Sequence, residues 1–172
     1  MKMLQTKKFI SFFTLLAGIL SAQKPWFEGN LKGLHRYHVK VKAVGIEHLY
    51  SEPELKTFVE SKLIQYHVKV SQKDAFPRMS LYIETAEVKQ DSISQFLVEL
   101  SVYDFSATVD QVIEQFNFSD FQKDFQVSKL YENQSIGSSA PEELKHAIEQ
   151  VIINETDRFL NQWRQDNPFK KF

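Results

Sequence analysis

The chain has 172 residues, 21 basic and 22 acidic side chains, 13% aromatic residues and no cysteine. Without cysteine it has no disulfides, no zinc–thiolate or iron–sulfur centre and no thiol nucleophile. The near-neutral balance argues against nucleic-acid binding, which needs a clustered basic face, and five glycines cannot build a phosphate-cradling loop.

The first residues read as a secretory signal peptide. Lys2, Lys7 and Lys8 supply a positive start. Phe9 to Leu20 is an apolar run broken only by Ser11, Thr14 and Gly18, and it ends in the small residues Ser21 and Ala22. The run is short for a membrane span, which needs about 20 apolar residues. An uncleaved N-terminal anchor is the alternative, and the bulk of Leu20 leaves the cleavage position open. No cysteine stands near the cut to carry a lipid. Taking away those three lysines leaves 18 basic against 22 acidic residues, a net charge of −4. The expected organisation is a signal at 1–22, a flexible lead-in at 23–33, one domain at 34–167 and a frayed tail at 168–172.

Residues 34–44 alternate, with Tyr37, Val39, Val41 and Ala43 on one side and Arg36, His38, Lys40 and Lys42 on the other, as in a half-buried strand. Ser51-Glu52-Pro53-Glu54 has the form of a capping box, and Leu55, Phe58, Val59, Leu63 and Ile64 follow at helical spacing, predicting a helix over 52–66. Residues 67–71 predict a short strand with Val68 and Val70 inward, followed by a loop through Pro77. Strands are expected at 79–89 and 95–105, the second presenting Phe96, Val98, Leu100 and Val102 on one face. The stretch 106–125 has no clear period. A final strand is expected at 126–136, ended by Gly137. Ser139-Ala140-Pro141-Glu142 resembles a second capping box. The stripe Leu144, Ile148, Val151, Ile152, Phe159, Leu160 and Trp163 then predicts a long helix over 141–166. The order β-α-β-β-β-β-α implies an α+β fold: a mostly antiparallel sheet of four to five strands with both helices on one face.

Candidate chemistry is thin. His35 and His38 lie three apart, which on a strand sends them to opposite faces, so they do not make a metal pair. His48 sits near Glu47 and Glu52 in a loop without a second half for acid–base work, and His67 and His146 are isolated. Glu84, Glu87, Glu99 and Asp104 fall on adjacent strands, where two carboxylates could face each other as in a glycosidase, although cross-strand pairing with Lys or Arg is the commoner use. No nucleophile elbow or H-E-x-x-H motif is present. No catalytic, cofactor or metal residue is assigned.

Two surfaces stand out. Arg36, His38, Lys40 and Lys42 form a basic stripe that Lys69 extends if the 67–71 strand lies alongside; it is either a solvated sheet face or a surface for an anionic partner. Phe116, Phe118 and Phe121, with Phe125, either anchor a loop on the core or form an exposed apolar patch.

The signal ending in Ser-Ala-Gln, the element order and the closing stretch Phe159-Leu160-Asn161-Gln162-Trp163 with Asn167-Pro168 resemble small uncharacterised exported α+β domains of Gram-negative bacteria. In element order alone the chain is also similar to the N-terminal domain of TolB-like periplasmic proteins. The resemblance implies a periplasmic or secreted interaction or scaffold module of the cell envelope, with an envelope protein or lipid as partner. It implies no cofactor, no nucleic acid and no transmembrane span once the signal is removed. A small-ligand or lipid binder using a groove between helices and sheet is the alternative. The sequence sets neither the oligomeric state nor the partner.

Overall fold

The structure, a computed structural model, describes residues 26–88, 93–106 and 126–168. The expected signal, the unassigned 107–125 stretch with Phe116, Phe118 and Phe121, and the end of the tail lie outside the described residues.

Five strands and two helices follow the expected order: β1 Arg36–Val44, α1 Glu52–Gln65, β2 Lys69–Val70, β3 Arg78–Val88, β4 Ile93–Ser106, β5 Gln126–Ser139 and α2 Leu144–Asp166. They form one α+β unit with sheet order β2-β1-β3-β4-β5. The β3–β4 and β4–β5 ladders are antiparallel and long; β1 runs parallel to both β2 and β3.

Period-two alternation sends one set of side chains from each long strand to the same side. Tyr37, Val39, Met79, Leu81, Ile83, Phe96, Val98, Leu100, Val102 and Tyr131 are buried there. Leu55, Val59 and Leu63 of α1 and Ile148, Ile152, Phe159 and Leu160 of α2 close over them. Phe159 meets Tyr37 and Tyr131 edge-on, each at 5.4 Å between ring centres, an arrangement that suits the ring quadrupoles. Lys62 of α1 reaches Asp157 of α2 at 3.1 Å, tying the helices side by side on this face.

Three expectations need correction. Over 26–33 the lead-in is not loose. Gly29 and Leu31 donate their N–H groups to the Asp166 carboxylate, Gly33 donates to the Asn167 side chain, and Leu31 is fully buried. Gly137 does not end β5, which runs on to Ser139 paired with Ser94. The third concerns the start of α2. Because Ser139 stays in the sheet, it cannot cap the helix; an intervening turn at 141–143 follows and α2 starts at Leu144 with no side-chain cap.

Candidate functional site

The other side of the sheet carries no described helix. Its cross-strand rows follow from the register: Val44, Glu84, Leu97 and Ile136; Lys42, Tyr82, Glu99 and Gln134; Lys40, Ser80, Ser101 and Glu132; His38, Arg78, Tyr103 and Lys129. The rows grade from an apolar end, where Ile136 is 79% exposed, to a charged end at His38 and Arg78.

In the middle the charges are satisfied locally. Glu99 accepts from the Ser101 hydroxyl and from Lys129 at 3.3 Å, and Lys129 also meets Glu132. Hydrogen bonding to Glu132 pushes the Lys129 ammonium up from its ordinary value, against the opposing effect of burial. Tyr82 donates its hydroxyl to Glu84 at 2.7 Å, and that bond raises the phenol's pKa. Of the carboxylates suspected of catalysis, Glu84 and Glu99 are thus held by neighbouring side chains on this face, and Asp104 accepts the Phe105 N–H at 2.8 Å. Among the described residues no cluster of His, Asp and Glu has the number of groups needed to hold a metal ion.

The basic stripe is divided by the path of the chain. β2 has only two residues, opposite Arg36 and Tyr37, while β3 begins opposite His38 on the other side of β1. The connection 71–77 therefore crosses over β1 on the helix-free face. It buries His38, whose Nδ1 lies 3.0 Å from the Ser71 carbonyl oxygen, and it brings Asp74 to Lys40 at 2.8 Å and to Arg78 at 2.7 Å. The Lys40 hydrogen bond, reinforced by Arg78 and opposed by some desolvation, holds the Asp74 carboxyl below the usual aspartate range. Phe76 packs on Phe105 at 4.5 Å and under the Arg78 guanidinium at 4.6 Å. Arg36, Lys42 and Lys69 remain exposed, and among the described residues none of the three has a carboxylate within ion-pair distance; Lys42 lies 5.7 Å from the Tyr82 ring centre.

Beyond Tyr37 no described strand pairs with β1 on the β2 side. His38 donates its N–H to Pro77 on the β3 side, and the Tyr37 carbonyl accepts from Ser71 on the other side. Backbone groups alternate along a strand, so the N–H and C=O of Val39 and Val41 point away from β3, on an edge that is covered at Val39, which is 1% exposed. The next donor on that edge, the Ala43 N–H, is taken by the Glu52 carboxylate at 3.1 Å. Beside it runs a groove of about 500 Å³ lined by His38, Val39, Lys40, Val41, Glu52, Pro53 and Lys56. A smaller cleft of about 210 Å³ lies between α1 and α2, lined in part by Tyr50, Leu55, Phe58, Lys145 and Ile152.

Sequence reasoning selected Arg36, His38, Lys40, Lys42 and Lys69, and register places them on one face. It missed Asp74, Glu52 and Lys56. The available signal was the polar run Ser71-Gln72-Lys73-Asp74 directly after a strand too short to match its neighbours. Of the remaining histidines, His48, His67 and His146 are exposed, and His35 packs edge-on to Trp163 at 6.1 Å.

No family model and no curated protein matches the chain. Among solved structures it is similar to a minor lipoprotein from Acinetobacter baumannii, with 11% identity, 76% of this chain and 91% of that chain covered, and a TM-score of 0.36. Neither result supports the resemblance to TolB-like domains. No helix among the described residues is long and apolar enough to cross a membrane.

Proposed function

We propose that this chain is an exported, non-catalytic interaction module of the cell envelope, and that its working surface is the helix-free face of the sheet. The observation that carries the reading is the pairing of that open face with exposed cations, Arg36, Lys42 and Lys69, that no described carboxylate neutralises. Apolar residues exposed at the far end, chiefly Ile136, supply contact area beside them. The N-terminal signal pattern supports export. The alternative, a small-ligand or lipid binder using a groove between helices and sheet, has a candidate in the groove between β1 and α1, whose volume of about 500 Å³ lies within the roughly 300–1,000 Å³ of ordinary ligand sites; it draws less support because His38, Lys40, Glu52 and Lys56 make much of that lining polar.

The test starts from the full chain expressed with its own N-terminus in a Gram-negative host. Mass spectrometry of the envelope fractions should find it exported and shortened near residue 22. Crosslinking should then capture a protein partner that Lys42→Glu and Ile136→Asp release and that Lys145→Glu, on the helix side, does not. Retention in the cytoplasm, or lipid co-purifying in place of any stoichiometric protein, would overturn the reading.

A further inference from the structure

We propose that the outer edge of β5 pairs with the same edge of a second copy of this chain, joining two sheets across a two-fold axis. The inference goes beyond the interaction reading above and does not depend on it. The ladders fix which β5 groups face outward. His38 donates its N–H to Pro77, so the even-numbered residues of β1 turn their backbone groups toward β3. Carried through the register, that alternation makes Val98↔Ser135 and Phe96↔Gly137 hydrogen-bonded pairs of β4 and β5. The N–H and C=O of Glu132, Gln134, Ile136 and Ser138 therefore point away from β4. No hydrogen bond to these groups is present among the described residues. Unlike the covered edge at Val39, the row is open: Gln134 and Ser138 are exposed, and Ile136 is 79% exposed. Toward the start of β5 the edge is closed, because Asn30 donates to the Leu130 carbonyl at 3.2 Å and Phe27 packs on Tyr131 at 4.6 Å.

The open stretch is complementary to itself. Residues 132–138 contain no lysine and no proline, the residues that commonly keep edge strands from pairing. An antiparallel pair with its axis at Ile136 sets Ile136 against its counterpart, Gln134 against Ser138 and Glu132 against Ala140 of the second copy. No like charges meet, and about six backbone hydrogen bonds form between Gln134 and Ser138. On the inner side Ser135 meets Gly137, so both facing residues are small. A register centred on Glu132 would set two carboxylates together and is disfavoured. Ile136 lies in one row with the half-buried Leu97 on the helix-free side, so the two copies also join their helix-free faces. A contact this short falls below the roughly 1,200 Å² of stable interfaces, and the association is therefore reversible.

The test is sedimentation of the full chain, purified after expression with its own N-terminus, from about 1 μM to about 1 mM. A monomer–dimer equilibrium is expected. Ile136→Lys and Ile136→Asp each set like charges against each other at the axis and should weaken dimerisation about tenfold or more. Mixed in equal amounts, the two variants should recover a dimer, because only this register brings position 136 against itself. Lys145→Glu, on the helix side, should leave the equilibrium unchanged. In hydrogen exchange the Gln134, Ile136 and Ser138 amides should gain protection as concentration rises, while Ser135 and Gly137, bonded to β4, are protected throughout. That readout uses the wild type and decides the matter even if a variant fails to fold. A protein monomeric over the whole range, a dimer that both variants keep, or no recovery on mixing would each overturn the inference. If the purified protein is monomeric while an envelope protein is still captured and is released by Lys42→Glu, edge pairing falls and the interaction reading stands.

Discussion

The carboxylate of Asp166, in the last turn of α2, accepts the backbone N–H of Leu31 at 3.1 Å across 135 positions of sequence. It also accepts from Gly29 at 2.9 Å and from the Gln162 amide at 2.8 Å. A negative charge is unfavourable at a helix C-terminus, where the orphan carbonyls already concentrate negative charge. Three donors offset that cost and fix the chain entering β1. Asp166→Ala leaves those donors without their acceptor and should cost about 2 kcal/mol. The readouts are thermal melting and proteolysis within 26–33. A variant as stable and as protease-resistant as the wild type would show that the segment is held by Leu31 burial alone.

Gly137 lies against the Phe96 ring on the paired strand β4, and a Cβ at 137 would collide with that ring. Gly137→Ala should therefore destabilise by about 1–3 kcal/mol through overpacking. Pairing it with Phe96→Leu, which shortens the obstructing side chain, should recover part of the loss in a double-mutant cycle. Additive losses would mean the two residues do not contend for the same space.

The chain contains two Ser-x-Pro-Glu sequences, and only one works as a cap. Ser51 accepts the Glu54 N–H, and Glu54 accepts the Ser51 N–H at 2.8 Å. Ser139 closes β5, and its buried hydroxyl has no partner among the described residues. Ser51→Ala should cost about 1 kcal/mol of stability, and Ser139→Ala should be close to neutral. Equal losses from both substitutions would contradict this division.

That contrast marks where the sequence was legible. Strand alternation in β1, β3 and β4 and the stripe of α2 are local periodicities enforced by burial, so inward residues such as Val39, Leu81, Val98 and Phe159 could be named beforehand. Ser139 and Gly137 could not, because their states depend on residues far away in sequence: Ser94 and Phe96 hold β5 extended beyond the glycine. The same limit applies to the candidate site. The basic stripe was visible as a period of two. The burial of His38 and the neutralisation of Lys40 both follow from one chain crossing, and no periodicity encodes it.

Asp74 controls part of the charge at that crossing. Its folded carboxyl is held below the ordinary value, first by Lys40 and then by Arg78. Its stabilising effect on the 71–77 crossing is therefore fully present above the unfolded value, about 3.9, and lost as pH falls through the lower folded value. The Asp74-dependent step in the amide shifts of residues 71–77 should fall below about pH 4. Asp74→Asn should remove that low-pH step and leave Lys40 without its carboxylate partner. A low-pH step that persists in Asp74→Asn, with the fold intact, would mean that another group sets it.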